Sequence, residues 1–386
     1  MEGRRNWEKQ LLASNISFAH SQTVWMHCAS LGEFEQGRPL LEALRKEYPG
    51  TKVILTFFSP SGYEIRKNFK GADVVCYLPF DSAANARRFL DLIQPHLAIF
   101  VKYEFWHFYL EELKKRTIAT ILVSGIFRKE QPFFHGWGSF HRNMLRNFSH
   151  LFVQDEASCL LLRQAGFAEA ATVAGDTRFD RVRALAHEWQ PLVQVARFCG
   201  NGFILVAGST WPEDERLLAS HLNDHFNNQK LIIAPHEIKP ERIAQLKELF
   251  PNSLLFSELS DANDAAGKNC LIIDNIGYLS RLYKYAAVCY VGGGFNKSGH
   301  HNILEAAAYG KPVVTGPNFR KFKESVDLKA LGGSFVSRNQ TELKEILLNM
   351  DLEKAGAVAA AYVQDQSGAT RRILNWIQEK RLFTNE

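Results

Sequence analysis

The chain has 386 residues, 46 % hydrophobic and 23 % charged, which suits two globular domains with real cores and excludes a disordered chain. Its net charge of +5 does not by itself indicate nucleic acid; it fits anionic small substrates or an anionic membrane surface equally well. No secretory signal opens the sequence, and it holds no apolar run of about 18 residues that could span a bilayer.

In chain order, short β-branched runs predict strands at Thr23–His27, Lys52–Phe57, Val74–Leu78, Leu97–Val101, Ala119–Ser124, His150–Gln154 and Thr172–Ala174. Helix-start chemistry lies between them, as in Ser59-Pro60-Ser61-Gly62-Tyr63-Glu64, where serine caps precede a proline and an S-x-x-E box. Continuous apolar strands alternating with helices imply a parallel sheet covered on both faces. The pattern restarts at Phe203–Ala207, Lys230–Ala234, Cys270–Asp274, Ala287–Val291 and Pro312–Thr315. The expected fold is therefore α/β: two doubly wound, Rossmann-like domains facing a central cleft. The expected divisions are 1–183, a linker at 184–201 around Pro191, 202–352, and a long amphipathic helix, about Glu353–Arg381, within 353–386. By analogy with two-lobed folds, that helix can cross back to the first domain. The six cysteines, Cys28, Cys76, Cys159, Cys199, Cys270 and Cys289, form no C-x-x-C pair and sit in apolar runs. They read as buried free thiols of a reducing compartment.

The strongest chemical signal is Gly292-Gly293-Gly294, a loop through Gly299, and His300-His301-Asn302-Ile303-Leu304-Glu305. A strand ends in glycines and a helix is expected to begin near His301, so backbone N–H groups and the helix dipole can hold an anion. Glu305 on the first turn can accept from a ribose diol; the bland alternative is a strand–helix turn with a capping glutamate. Glu33 follows the first strand through Ser30-Leu31-Gly32 and precedes a helix expected at Phe34. A carboxylate there can take a proton from a sugar hydroxyl or simply stabilise a helix dipole. Glu104 follows the fourth strand and either positions an acceptor, supports Glu33, or caps a helix. Gly208-Ser209-Thr210 offers a phosphate or sugar-carboxylate contact, or an ordinary turn. Arg178 is either a cation near an anionic donor or a solvated arginine. Phe127-Arg128-Lys129 through Trp137, Phe140 and Arg146 interleaves aromatics with cations. It could bind a phosphorylated lipid head group or pack a helix; without a recognised motif it does not point to nucleic acid.

Several of these segments together resemble the Kdo (3-deoxy-D-manno-octulosonic acid) transferases of lipid A assembly, glycosyltransferase family 30 with the GT-B fold. Gly299-His300-His301-Asn302-Ile303-Leu304-Glu305 is similar to that family's G-G-H-N-x-L-E, and Trp25-Met26-His27-Cys28-Ala29-Ser30-Leu31-Gly32-Glu33 to its W-x-H-A-S-x-G-E. Glu104-Phe105-Trp106 resembles its E-x-W, and Gly175-Asp176-Thr177-Arg178-Phe179-Asp180 its G-N-x-K-F-D. His300, His107 and the stretched Pro235-His236-Glu237-Ile238-Lys239-Pro240-Glu241-Arg242 depart from the family pattern. The last leaves open whether Arg242 or Lys239 takes the usual arginine's role.

The resemblance implies inverting transfer of Kdo from CMP-Kdo to a lipid A precursor (lipid IVA) in lipopolysaccharide biosynthesis. Glu33 would be the base, supported by Glu104. Donor binding falls to Gly208, Ser209, Thr210, Arg178, His236, Arg242, Gly294, Gly299, His301, Asn302 and Glu305. Acceptor binding falls to Ser30, Gly32, Lys102, Arg128 and Trp137. No D-x-D or histidine cluster points to a metal, and no cofactor beyond the donor substrate is expected. The other readings are a nucleotide-sugar epimerase of the same two-lobed fold and an inactive sugar- or lipid-binding module. The family usually begins with a hydrophobic anchor, and this chain opens Met1-Glu2-Gly3-Arg4-Arg5-Asn6-Trp7. An upstream native helix of about 20 apolar residues and a place on the cytoplasmic face of the inner membrane are therefore expected, with Arg4 and Arg5 helping to bind anionic lipid.

Overall fold

The computed structural model describes residues 7–12, 16, 18, 21–223, 229–259 and 267–383. It divides into two compact units, Met1–Arg181 with Ser367–Glu386, and Val182–Gln366. Arg4 and Arg5 lie outside the described residues.

The first unit holds a parallel sheet of β1 (Thr23–Cys28), β2 (Lys52–Phe57), β3 (Val74–Tyr77), β4 (Leu97–Val101), β5 (Ala119–Gly125), β6 (His150–Val153) and β7 (Ala171–Val173). Their order is β3-β2-β1-β4-β5-β6-β7. Both faces are covered, which is why β1 and β4 are buried at every position and β4 reads as an unbroken apolar run. On one face Trp25 meets Phe89, Phe100 and Tyr109 with ring centroids 5.1, 5.2 and 5.6 Å apart. On the other, Met26 and Val101 lie under the helix Leu31–Glu47. A Cβ at Gly37 of that helix would stand 2.7 Å from Met26 Sδ and 3.0 Å from Val101 Cγ2, so glycine sets how closely the helix seats over the β1–β4 pair.

The expected single helix at 353–381 is two. Leu352–Gln366 belongs to the second unit and Ala369–Glu379 to the first. They break at Gly368, whose φ is +102°, a conformation glycine adopts at little cost. Asp180 then receives Gly368 N–H at 2.5 Å and Thr370 N–H at 2.7 Å, capping the second helix. That helix buries Ile373, Leu374 and Ile377 beside Leu40, Leu41 and Leu44.

The second unit repeats the plan with β8 (Phe203–Thr210), β9 (Gln229–Pro235), β10 (Ser253–Leu255), β11 (Cys270–Ile272), β12 (Val288–Val291), β13 (Val313–Thr315) and β14 (Ser334–Val336). The order is β10-β11-β9-β8-β12-β13-β14, again parallel. The stretch expected to be a linker is structured: the helix Thr177–His187 runs across the division at Arg181, and Val193–Cys199 forms another helix. All six cysteines are free and buried.

Candidate functional site

In each sheet the strand order reverses beside the first strand, between β1 and β4 and between β8 and β12. Ligands of such sheets bind outside the carboxyl ends of the strands at that point, and both groups of candidate residues emerge there.

In the first unit, Ser30 is the N-cap of a helix that begins at Leu31, not at Phe34. Glu33 is thus already in the first turn, where a carboxylate also complements the helix dipole. It is half-buried and accepts a hydrogen bond from Ser30 Oγ. Gly32 is exposed, and the nearest atom to a Cβ placed on it is Ser30 Oγ at 3.7 Å, so space lies open above this turn.

Glu104 is buried and caps no helix. The N–H groups of Phe108 and Tyr109 in the next helix are taken by Asp81, at 3.1 and 3.3 Å. Glu104 Oε2 instead accepts from Trp106 Nε1 at 2.6 Å and from His27 Nε2 at 3.1 Å. His27, fully buried on β1, was not among the sequence candidates. Its Nδ1 meets Thr56 Oγ1 at 2.8 Å, and Thr56 Oγ1 accepts from Trp25 Nε1 at 2.9 Å. A carboxylate only accepts, so His27 donates Nε2–H to Glu104, while the Thr56 hydroxyl lies between His27 Nδ1 and the Met26 carbonyl, at 2.8 and 3.4 Å. The signal was present in the sequence as an imidazole in a mainly apolar strand. Both carboxylates act on the Cys28 thiol, which burial first, then Glu33, Glu104 and Glu35, push well above its usual range.

Lys102 closes β4 in the left-handed region, with φ +71°, and Ser124 does the same near the end of β5, with φ +54°. Such residues persist where surrounding structure over-determines them and cluster at functional sites. Lys102 Nζ lies 5.4 Å from the Tyr103 ring centroid. The aromatic–basic segment divides: Phe127 and Phe133 are core residues, whereas Trp137 and Phe140 are 68 % and 51 % exposed. Trp137 stacks on His135, Phe140 lies 4.9 Å from His107, and Arg128 is exposed. Arg178 is held by Asp176 at 2.7 Å, and Asp176 also receives Gln36 Nε2.

In the second unit the helix expected near His301 begins only at Leu304 and ends at Ala307. Gly299, His301 and Asn302 precede it, so any anion there is met by loop N–H groups more than by a helix dipole. Asn302 accepts from Leu304 N–H at 3.1 Å and donates to Glu305 at 3.4 Å. The glycines serve close packing. A Cβ at Gly294 would lie 2.4 Å from Gly316 N, and one at Gly208 2.1 Å from Tyr283 Oη. Gly293 N–H goes to the buried carboxylate of Asp214 at 2.8 Å, and Trp211 N–H to the same oxygen at 2.9 Å. Thr210 turns its hydroxyl inward to buried Glu215 at 3.0 Å, and Arg242 pairs with that same carboxylate. Gly208, Ser209 and Thr210, expected after the strand, are the last residues of β8; of them Ser209 remains half-exposed, with φ +53°. His236 and His301 come together with Trp211, a residue the sequence reading passed over. Trp211 stacks on His236 at 4.6 Å, and His236 lies 4.5 Å from His301. Burial, then His236 and His300, hold His301 down to about 4.

A family model described as "3-Deoxy-D-manno-octulosonic-acid transferase (kdotransferase)" matches residues 5–181. A 3-deoxy-D-manno-octulosonic acid transferase of Rickettsia felis is 28 % identical over 80 % of this chain and 67 % of its own length. One of Haemophilus influenzae is 25 % identical over 94 % and 88 %. The family model and these relatives make the chain similar to the Kdo transferases. Among solved structures, UDP-GlcNAc 2-epimerase of Neisseria meningitidis aligns with TM-score 0.64 and 14 % identity, covering 93 % of this chain and all of the other. Acinetobacter baumannii MurG aligns with TM-score 0.56 and 13 % identity, over 93 % and 99 %. At these identities the likeness is one of fold, the two Rossmann-like domains of GT-B.

The Kdo transferase relatives and the matching family model indicate a glycosyltransferase, and the structure accounts for one departure from the Kdo transferase motifs. His300 is buried, bonded to Ser325 Oγ at 2.8 Å and to the His301 carbonyl at 2.6 Å. It is a satisfied core histidine. In the stretched motif, Arg242 is committed to Glu215, while Lys239 is exposed and paired with Glu237 at 3.0 Å.

Proposed function

We propose that this glycosyltransferase moves Kdo from CMP-Kdo to a lipid A precursor in lipopolysaccharide biosynthesis, with inversion and with Glu33 as general base. The acceptor hydroxyl loses its proton to Glu33 as its oxygen bonds to the anomeric carbon. The bond from that carbon to the CMP phosphate oxygen breaks, and CMP leaves with the electron pair. CMP is a competent leaving group, so electrostatic stabilisation serves in place of a protonating acid, and the proposal assigns no step to a metal or cofactor. The observation that carries this reading is Glu33 itself: half-buried, at the switch point of the first sheet, under open space at Gly32. Glu104 acts behind it. It is held by His27 and Trp106 and serves to position the acceptor.

Ser209, His301, Asn302 and Glu305 bind the donor, with Glu305 on the ribose. Arg178, ordered by Asp176, is a further cation for the anionic substrates. The acceptor lies along Ser30, Gly32, Lys102 and the surface of Arg128 and Trp137. Exposed Phe80, Phe108, Trp137 and Phe140 rest on the cytoplasmic face of the inner membrane, where a lipid acceptor resides. No helix among the described residues is long and apolar enough to cross a membrane.

Incubation with CMP-Kdo and a lipid A precursor, followed by mass spectrometry, tests the reaction; a product heavier by Kdo is expected. Glu33→Gln should bind CMP normally and lose about 10²–10⁴ in turnover, the usual worth of a positioned base. Near-normal turnover in that variant would remove Glu33 from its role.

A further inference from the structure

Three loops at the carboxyl edge of the second sheet deliver Trp211, His236 and His301 to one ring cluster. Trp211 Nε1 donates to His301 Nε2 at 3.3 Å. We infer that Trp211 is a positioning residue that fixes which nitrogen of His301 carries the proton, leaving His301 Nδ1–H to donate to an anionic oxygen of the donor substrate. This rests on the reading of the second unit as the donor site.

An indole N–H has no acceptor capacity. His301 Nε2 must therefore present its lone pair to Trp211, and the proton of the neutral imidazole stands on Nδ1. The ring's seating agrees. A Cβ on Gly293 would come within 3.2 Å of His301 Cδ2, so the Cδ2–Nε2 edge faces the loops. Nδ1 lies across the ring and has no hydrogen-bond partner among the described residues. Burial and the neighbouring histidines hold His301 down to about 4, so at neutral pH it carries one proton rather than two.

Trp211 is itself fixed before any ligand arrives. Its backbone N–H is bonded to Asp214 Oδ2 and its ring stacks on His236 with 21° between planes. The same Asp214 oxygen takes Gly293 N–H, and Tyr290 Oη donates to the other oxygen at 2.8 Å. One buried carboxylate thus ties the loop bearing Trp211 to the loop leading to His301. A neutral, oriented N–H suits a leaving phosphate, because its hydrogen bond strengthens as negative charge develops and no proton need move.

The test is long-range ¹H–¹⁵N correlation of the ¹⁵N-histidine-labelled full chain at pH 7, which separates protonated from bare ring nitrogens. His301 is assigned by the signal lost in His301→Gln. The expected result is a protonated Nδ1 and a bare Nε2. In Trp211→Phe, which keeps a ring but loses the N–H, the proton should shift toward Nε2. CMP affinity should weaken roughly two- to twelvefold, the span of one hydrogen bond's net worth. In a His301→Gln background, Trp211→Phe should cost little more, since the two act as one unit. A protonated Nε2 in the wild type overturns the inference, and that measurement needs no variant to fold. An unchanged tautomer in Trp211→Phe, with additive losses in the cycle, overturns it as well. The expected tautomer in a protein that binds no CMP would overturn the donor reading, and with it the anion contact, while leaving the Trp211–His301 assignment in place.

Discussion

Glu33 and Glu104 both follow strands at the reversal of the first sheet, yet their surroundings give them different work. Glu33 has one hydroxyl partner and open space beside it, as a group that must meet a substrate requires. Glu104 is committed to His27 and Trp106 and can only act on what lies next to it. The sequence motifs made both carboxylates legible as candidates. They did not reveal the His27–Thr56–Trp25 chain, because its members come from two strands and meet only through the β1–β2 register. The same limit applies to Trp211 and Asp214, whose partners His301, Gly293 and Tyr290 lie 76 to 90 positions away. Glu305 is the residue on which the nucleoside reading turns. It stands near Tyr283 and Tyr309, whose hydroxyls are raised first by burial and then by its charge. Glu305→Ala should weaken CMP binding by about 1.5–3 kcal/mol, the range for hydrogen bonds to a charged group. Calorimetry measures this, and an unchanged dissociation constant would make the residue structural.

Among the elements, the interior strands were the legible ones. β1, β4, β8 and β12 have neighbours on both sides and are written mainly in apolar residues. β10 and β14 escaped the sequence reading. Each is a sheet edge of three residues opening with serine, too short to show a pattern. The break at Gly368 escaped because its cause is remote: the carboxylate that caps the following helix, Asp180, lies 188 positions earlier. Asp180→Ala should therefore cost about 0.5–2 kcal/mol, the worth of a helix cap, read as a lower melting temperature with CMP affinity retained. That helix also sets a pH dependence. Trp376 covers His150 at 5.3 Å, and burial, then Lys380, lower His150 from 6.5 to about 4. Above pH 6.5 the ring is neutral in both the folded and unfolded chain. As pH falls from 6.5 to 4 the unfolded chain takes the proton first, so stability is lost across that window, by up to about 3 kcal/mol. Melting temperature against pH should be flatter there for His150→Gln; an identical slope would rule His150 out as its source.

At the scale of the molecule, the proposed membrane role rests on the aromatic surface of the first unit. Exposed Trp137 and Phe140 beside Arg128 should carry the protein onto vesicles of anionic, lipid A-containing composition. Co-sedimentation should fall as salt rises past about 0.1 M, where exposed charges are screened beyond about 10 Å. The double change Trp137→Ala, Phe140→Ala should lower binding at every salt concentration. Vesicles left unbound at low salt would exclude this face from lipid contact.

The chain leaves the first unit at Arg181 and re-enters it at Ser367, so the half that is synthesised first is finished last. At about 5–20 residues per second, the intervening 185 positions, Val182–Gln366, take on the order of 10–40 s to emerge from a ribosome. Throughout that interval Leu40, Leu41 and Leu44 wait without Ile373, Leu374 and Ile377, an apolar strip held open on a nascent protein. The second unit, contiguous from Val182 to Gln366, closes without such a delay. The order of birth and the order of completion are opposite, and chaperone demand during translation falls on the older half.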